Sequence, residues 1–306
     1  MYFDKQVIFI FRGFMTQKIA VALIHGIGKQ EPDFADSIMY EIKKQFVEFI
    51  SGKVKNPALE IIIEPVYWAP VIQRHEDKLW LRVKHGGILD FRNLRRLMID
   101  FAADSIAYQP ILNDRHVYDS IHKIVARSIK HLATHSGPEA PLCVISHSLG
   151  TIIACNYFWD LQHMNEKPEL ITETLRKDLG KTPLDLGKTL TQFYTLGCPL
   201  ALWSLRYEKP DFGKPIQVPS PQLKEYYPYL KGEWVNFYDK DDILAFPIKT
   251  LNEEYEEVVT ADKEINVGDI FSSWNPASHL CYWKDSNVIV PIARSLALLW
   301  EKINAV

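Results

Sequence analysis

Apolar residues recur along the chain in two patterns that alternate with each other. Residues 18–25 form an almost continuous apolar run, which is typical of a strand buried on both faces of a parallel sheet. Residues 34–50 then carry apolar side chains at the three- and four-residue spacing of a helix. The alternation continues and predicts further strands at residues 59–68, 141–146, 189–196 and 234–238, and helices at 118–132, 149–164 and 287–303. Strands that alternate with helices pair in parallel through right-handed crossovers, so the sequence predicts an α/β fold with a mostly parallel sheet flanked by helices.

Two segments interrupt this alternation. Residues 70–116 contain no strand pattern and instead predict two helices separated by Gly86 and Gly87. Because this segment follows an early strand, we expect it to form a helical cap inserted into the main domain. Residues 207–232 are rich in proline and tyrosine and predict a long loop.

The N-terminal residues 1–17 are expected to be an extension in front of one domain that spans residues 18–306. The first twelve residues are apolar, but they lack the basic start and the small-residue cleavage site of a signal peptide. Met15 stands just before the first strand and is a candidate for the true start, so that residues 1–14 would come from an upstream start codon. No apolar run in the sequence reaches the roughly 18–20 residues that a membrane-spanning helix needs.

Composition and charge narrow the class of protein. Hydrophobic residues make up 47% of the 306 residues and charged residues 24%, which is typical of a globular domain rather than a disordered chain. The formal net charge is −3 and the sequence contains no nucleic-acid-binding motif, so no nucleic-acid partner is predicted. Four cysteines stand among apolar neighbours without a C-x-x-C pair: Cys143, Cys155, Cys198 and Cys281. This usage argues against a metal or redox site and favours a cytoplasmic location.

The strongest chemical signal lies where the strand at residues 141–146 meets the following helix. Ser146, Ser148 and Gly150 form the small-x-Ser-x-Gly pattern of a nucleophile elbow. Such a turn is so tight that only small residues fit two positions before and two positions after the serine. We expect the turn to expose the Ser148 hydroxyl above the sheet as a nucleophile. The alternative is a polar turn in which Ser148 only caps the helix.

A second signal follows the first strand, where the sequence reads His25-Gly-Ile-Gly28. An oxyanion hole needs two backbone N–H groups that converge where the tetrahedral oxygen forms. The predicted donors are the N–H of Leu149, directly after the nucleophile, and the N–H of Ile27, whose flanking glycines allow close approach. His25 is a candidate for lining the same loop, and a plain turn is the alternative interpretation.

The predicted acid and base follow Ser148 in the chain. The strand at residues 234–238 ends in Asp239, Asp241 and Asp242, and we prefer Asp242 because Ile-Leu-x-x-Pro follows it; Asp239 is the second choice. A calcium-binding loop is disfavoured because the required glycine and distal glutamate are missing. His279 precedes the last helix, where the base is expected in the order Ser, Asp, His. In such a triad the acid holds the tautomer of the base and stabilises its charged form.

Together these segments resemble the α/β-hydrolase superfamily, in particular its lipase-like members. Residues 194–200 resemble an "LGSPL" segment of these enzymes, with Cys198 where serine is usual. The segments around Asp242 and His279 resemble those of DDHD-type intracellular phospholipases and a set of bacterial relatives, although the acidic and histidine pattern is incomplete. The resemblance covers residues 18–30, 141–203 and 234–303.

The resemblance implies an α/β-hydrolase fold and hydrolysis of a carboxylic ester, with a lipid acyl ester as the preferred substrate class. The triad mechanism needs no metal and no organic cofactor. Two alternatives stay open: an acyltransferase or thioesterase that uses the same triad, and a non-catalytic domain of this fold that binds lipid or protein.

Residues 70–116 also carry a local positive charge. Between Arg74 and Arg96, seven lysines and arginines stand against three acidic residues, a local excess of +4 in a chain whose net charge is −3. Four apolar residues share one predicted helical face: Leu94, Leu97, Met98 and Phe101. A basic amphipathic hairpin of this kind can rest on an anionic membrane surface. The preferred interpretation is a cap that packs on the core, with its charges in solvent.

Overall fold

The computed structural model describes residues 16–27, 30–86, 90, 92–110, 114–206, 213–268 and 279–305. The N-terminal residues 1–15, with the proposed start at Met15, lie outside the described residues, and so does Gly28. The side chains of Leu94, Leu97, Met98 and Phe101, on which the apolar face of the membrane hypothesis depends, also lie outside the described set.

Parallel strands form a single sheet at the centre of the described chain. The strands are β1 (Ile19–Ile24), β2 (Ile61–Val66), β3 (Leu142–His147), β4 (Leu190–Leu196), β5 (Glu233–Asp239) and β6 (Ala261–Ile265). Their order across the sheet is β2-β1-β3-β4-β5-β6, and every neighbouring pair is parallel. The predicted α/β fold class, with a mostly parallel sheet, is therefore confirmed.

The strand order reverses at β1, because the chain first adds β2 on one side of β1 and then β3 on the other. In open α/β sheets, ligands bind outside the carboxyl ends of the strands at such a reversal. Ile24 at the end of β1 is paired with Ser146 near the end of β3. The residues that follow these two strands are therefore neighbours in this crevice.

Helices cover both faces of the sheet. They are α1 (Asp36–Ile50), α2 (Gln73–His85), α3 (Arg92–Tyr108), α4 (His116–Ser136), α5 (Leu149–His163), α6 (Glu173–Asp178), α7 (Leu200–Ser204), α8 (Leu223–Tyr226), α9 (Glu253–Val258) and α10 (Ser286–Asn304). Single 3₁₀ turns occur at Pro57–Leu59, Ala69–Val71, Pro168–Leu170 and Tyr282–Lys284. One core packs α4 and α5 against the sheet, and a second core packs α1 and α10 against the opposite face.

The two cores explain the continuous apolar run of the first strand. Ala20, Ala22 and Ile24 belong to the core beneath α4 and α5, whereas Val21 and Leu23 belong to the core beneath α1 and α10. Because side chains alternate between the faces of a strand, a strand covered on both faces must be apolar at every position.

Two helices occupy the segment that the sequence predicts to be a cap. Helix α2 ends at His85, with Gly86 as its C-cap, and α3 follows. The end of α3 is fixed to the domain by a buried phenol. The hydroxyl of Tyr108 is hydrogen-bonded to His122 Nε2 of α4 over 2.8 Å and accepts from the amide of Asn156 of α5 over 3.3 Å. The segment of α2 and α3 is thereby attached to α5, the helix that begins directly after Ser148.

Within the described chain, no helix is both long enough and apolar enough to cross a bilayer. All four cysteines are free; Cys143 and Cys198 are buried, and Cys155 and Cys281 are partly buried.

Candidate active site

The turn between β3 and α5 has the backbone of a nucleophile elbow. Ser148 has a φ of +52° and a ψ of −129°, a conformation that non-glycine residues rarely adopt and that strains the backbone. A Cβ atom at Gly150 would lie 2.3 Å from the backbone oxygen of His25, so this position must be glycine. The Ser148 side chain does not cap α5. The alternative interpretation of Ser148 as a helix cap is therefore wrong.

Ser148 is buried, which differs from the expected exposure of its hydroxyl. Its exposed fraction is 0%, and that of His279 is 1%. The loop after β1 packs directly on the serine, since a Cβ atom at Gly26 would lie 2.5 Å from the Cβ of Ser148. The elbow does present the hydroxyl at the carboxyl edge of the sheet, but neighbouring chain segments close over it.

A continuous chain of hydrogen bonds joins Ser148, His279 and Asp242. The Oγ atom of Ser148 lies 2.8 Å from Nε2 of His279, and Nδ1 of His279 lies 2.8 Å from Oδ2 of Asp242. An ionised carboxylate can only accept hydrogen bonds, so Nδ1 carries the proton of the neutral imidazole. Nε2 is then free to accept from the serine hydroxyl, and the histidine is in the tautomer that a general base for this hydroxyl requires.

The surroundings of Asp242 favour its ionised form. Burial raises the pKa of this carboxyl, but the hydrogen bond and the charge of His279 and two further donors outweigh burial, so the pKa lies below its ordinary value. One donor is the backbone N–H of Leu244, 3.0 Å from Oδ1, and the other is the hydroxyl of Tyr282, 3.0 Å from Oδ2.

Asp239, the second choice for the acid, has a different position. It is fully buried, and its two oxygens accept from the backbone N–H groups of Asp241 and Val267 over 2.8 and 2.7 Å. These bonds fix the turn after β5 from which Asp242 extends. The structure therefore brings Asp242, and not Asp239, to the imidazole of His279.

Two residues beside Ser148, His279 and Asp242 were not identified as site residues from the sequence. Tyr282 is fully buried, and its hydroxyl accepts from the N–H of Asp239 as well as donating to Asp242. Gly197 has a φ of +57°, and a Cβ atom there would lie 2.9 Å from the Tyr282 ring and 3.3 Å from His279. The only sequence signal for Tyr282 was its spacing of three residues from His279, within a segment already noted for its resemblance to a family.

His147 supports the base from the other side. Its Nε2–H donates to the backbone oxygen of His279 over 2.7 Å, and the two rings lie 4.8 Å apart. Burial lowers the pKa of His147 to about 3, so this ring stays neutral. His147, the residue before Ser148, therefore fixes the backbone of His279, whose ring contacts Ser148.

The two predicted oxyanion donors belong to segments that flank Ser148. Leu149 begins α5, whose N-terminus favours negative charge, and Ile27 follows Gly26 in the loop that packs on Ser148. Both side chains are buried. Among the residues that the structure describes, no group of three or more His, Cys, Asp or Glu side chains is arranged to hold a metal ion.

Comparison with known proteins found a distant structural likeness. No family model matches the chain, and no curated protein matches it. Among solved structures, it is similar to one from work on two fungal esterases from Rhizomucor miehei and their substrate specificity. The identity is 10%, the match covers 95% of this chain and 78% of the fungal chain, and the TM-score is 0.43. So distant a likeness assigns neither a family nor an activity to this chain.

Proposed function

We propose that this protein is a serine hydrolase that cleaves a carboxylic ester through a covalent acyl-enzyme. The observation that carries the proposal is the hydrogen-bonded chain from Ser148 through His279 to Asp242. Its members come from three separate loops at the carboxyl edge of the sheet. A polar turn without catalytic function would not need a strained serine backbone together with a base in the correct tautomer.

The proposed reaction has two halves. His279 Nε2 takes the proton of Ser148 as Oγ attacks the ester carbonyl carbon, and the carbonyl electron pair moves onto oxygen. The N–H groups of Ile27 and Leu149 hold this oxyanion until it collapses and breaks the bond to the leaving oxygen, which receives the proton from His279. Water then attacks the acyl-enzyme by the same route and releases the acid. Asp242 stabilises the imidazolium throughout.

A cavity beside α5 and α7 supports an acyl ester as the substrate. It measures about 410 Å³, and its walls combine apolar side chains, among them Ile152, Trp159, Leu200, Trp203 and Ile216, with the polar side chains of Asn156, Lys167, Ser204 and Lys214. Ile152 lies one helical turn after Ser148, and Leu200 lies three residues after Gly197, which faces the triad. A cavity of this size is in the range of small-molecule sites. We propose that it receives the acyl chain of a lipid-like ester.

Acyl transfer is the second candidate, because Ser148 and His279 are both closed from solvent. A site that restricts water slows hydrolysis of the acyl-enzyme relative to transfer to an alcohol bound there. Contact of residues 70–116 with a membrane surface, the cytoplasmic location and the DDHD-type resemblance stay predictions.

Active-site labelling tests the proposal. We expect a fluorophosphonate to modify Ser148 of the wild-type protein, and a p-nitrophenyl ester to be hydrolysed by it. Ser148→Ala should abolish labelling and lower kcat by about 10⁴-fold or more. Ser136→Ala, at a buried serine that donates to the Leu132 carbonyl at the end of α4, is the matched control and should behave as wild type. Product analysis with added alcohols separates hydrolysis from transfer.

Two results would contradict a serine hydrolase. One is a wild-type protein that neither reacts with the probe nor cleaves esters. The other is a Ser148→Ala variant that keeps about a tenth or more of the wild-type rate, because loss of a triad serine lowers the rate far more than that.

A further inference from the structure

Both ring nitrogens of His25, the residue directly after β1, form hydrogen bonds with the backbone. Nδ1 lies 2.8 Å from the carbonyl oxygen of Gly26. Nε2 lies 3.1 Å from the N–H of Trp68 and 3.2 Å from the N–H of Ala69. One imidazole thus bridges the loop that packs on Ser148 and the turn after β2 that leads into the helical insertion.

These contacts determine the protonation of the ring. Nε2 faces two N–H donors, so it carries no proton and acts as the acceptor. The remaining proton of the neutral ring is therefore on Nδ1, which donates to the Gly26 carbonyl. Burial lowers the pKa of His25 to about 3, so this neutral tautomer persists across the working pH range.

The orientation of the next peptide follows from this bond. The carbonyl of Gly26 and the N–H of Ile27 belong to one planar trans peptide, in which the two groups point in opposite directions. With the carbonyl held toward the His25 ring, the N–H of Ile27 must point away from that ring. The same peptide begins at Gly26, which packs on Ser148 so closely that a Cβ atom would lie 2.5 Å from the serine Cβ.

Aromatic packing prevents the ring from turning. The Trp68 indole stacks on His25 at 4.7 Å between centroids with an angle of 13°, and its Nε1–H donates to the His25 carbonyl over 2.8 Å. The ring of Phe34 meets the imidazole edge-on at 4.8 Å. His25 is fully buried among these groups. Because the ring is fixed, the Gly26–Ile27 peptide is fixed with it.

We propose that His25 is a positioning residue for the oxyanion hole. Its Nδ1–H sets the Gly26–Ile27 peptide so that the Ile27 N–H meets the developing oxyanion, while Nε2 anchors this loop to the start of the helical insertion. The inference rests on the proposed ester hydrolysis at Ser148. It adds a residue that touches no reacting atom and acts only through the peptide that it holds.

Two amide substitutions separate the two bonds of His25. The amide of asparagine reaches the position of Nδ1, so His25→Asn keeps the donor to the Gly26 carbonyl and loses the acceptor for Trp68 and Ala69. The amide of glutamine reaches the position of Nε2, so His25→Gln keeps the acceptor and loses the bond to Gly26. The variants are compared by kcat and KM on a p-nitrophenyl ester, by the affinity of an alkyl trifluoromethyl ketone, and by Tm.

We expect His25→Gln to lower kcat by about 10- to 100-fold with KM nearly unchanged, because a displaced oxyanion donor affects only the transition state. The ketone, which forms a tetrahedral oxyanion adduct with the serine, should lose affinity by the same factor as kcat/KM. His25→Asn should keep kcat within about threefold of wild type. Its Tm should nevertheless fall by at least as much as the Tm of His25→Gln. His122→Asn, at another fully buried neutral histidine, is the control and should lower Tm without changing kcat.

Several outcomes overturn the inference. If His25→Gln keeps wild-type kcat, or if both His25 variants lose kcat in proportion to their loss of Tm, the role of His25 is only structural. Should His25→Gln not fold, His25→Asn decides alone, and a kcat loss of about tenfold or more in that variant contradicts the proposal. A wild-type protein that neither binds the ketone nor reacts with a fluorophosphonate refutes ester hydrolysis itself, a result distinct from the others.

Discussion

The hydroxyl of Tyr282 donates a hydrogen bond to Asp242 over 3.0 Å, at the same Oδ2 atom that receives the Nδ1–H of His279. One carboxylate oxygen therefore accepts hydrogen bonds from both the imidazole of His279 and the buried phenol of Tyr282. Tyr282 is itself held in place, because its oxygen accepts from the N–H of Asp239 over 2.9 Å. The candidate triad is thus extended by a fourth group that fixes the orientation of the acid.

Replacing Tyr282 with phenylalanine removes this fourth group and keeps the ring. We expect kcat to fall by about 5- to 30-fold with little change in KM, since one hydrogen bond to a charged group contributes about 1–2 kcal/mol. Tyr157→Phe is a matched control, because the buried Tyr157 hydroxyl has no hydrogen-bond partner among the residues that the structure describes. Steady-state kinetics and thermal unfolding check both variants. Equal kinetics for Tyr282→Phe and wild type would mean that Asp242 is oriented without the phenol.

The two buried aspartates of the turn after β5 should respond differently to the same change. Asp242→Asn places a donor toward His279 and disturbs its tautomer, so kcat should fall by about 10³- to 10⁴-fold. Asp239→Asn should act mainly on stability, because Asp239 accepts from the backbone of the turn. We therefore expect a lower Tm and a kcat loss of no more than about tenfold for this variant.

The measurement is kcat at a temperature well below the Tm of each variant. Asp241→Asn is the control, because Asp241 is only partly buried and its carboxylate lies outside the hydrogen-bonded chain from Ser148 to Asp242. A larger kcat loss for Asp239→Asn than for Asp242→Asn would show that the working acid is Asp239.

The strands of the central sheet could be predicted from the sequence because burial on both faces leaves a continuous apolar run, as in β1. The strand β6 was not predicted. It reads Ala-Asp-Lys-Glu-Ile and lies at the edge of the sheet, half-exposed, so its sequence carries no apolar pattern. The short helices α6 to α9 were also missed, since four to six residues give too few turns for a periodic signal.

Candidate site residues could be predicted from the sequence where the signal is local, and they were missed where the signal depends on tertiary contacts. The elbow around Ser148 is recognisable because one tight turn restricts its own neighbours. The choice between Asp242 and Asp239 depends on which carboxylate the turn after β5 directs at His279, and sequence order does not show this. The contact of His147 with the His279 backbone spans 132 residues, and no local pattern reports it. The close packing of the distant Gly26 on Ser148 likewise has no local sequence signal.

Filling the cavity beside α5 should change the preferred acyl length. Cys155 lines this cavity, and Cys155→Trp would occupy part of its volume of about 410 Å³. We expect kcat/KM for a p-nitrophenyl decanoate to fall by about tenfold or more, and that for the acetate to stay within about twofold, because an acyl group of two carbons does not reach the filled region. A parallel loss for both esters would show that the acyl chain binds elsewhere, and matched Tm values exclude a general loss of fold.

Buried neutral histidines should make the fold sensitive to acid. Burial lowers the pKa of His25, His122 and His147 to about 3, from 6.5 in an unfolded chain. Between these values the unfolded state binds protons that the folded state does not, so the free energy of unfolding falls as the pH falls from 6.5 toward 3. Asp160 acts in the opposite sense, because burial raises its pKa from 3.8 to about 7, and the folded state binds its proton in that window.

Near pH 5 these four groups together take up about two protons on unfolding, three at the histidines less one at Asp160, which corresponds to about 3 kcal/mol per pH unit. Urea unfolding at pH 7, 6 and 5 measures this slope. His122→Gln removes one of the three histidines, so unfolding should take up about one proton fewer and the slope should fall by about 1 kcal/mol per pH unit. His116→Gln, at an exposed histidine of the same helix, should leave the slope unchanged. A wild-type slope near zero, or equal slopes for His122→Gln and wild type, would show that these side chains are not held neutral by burial.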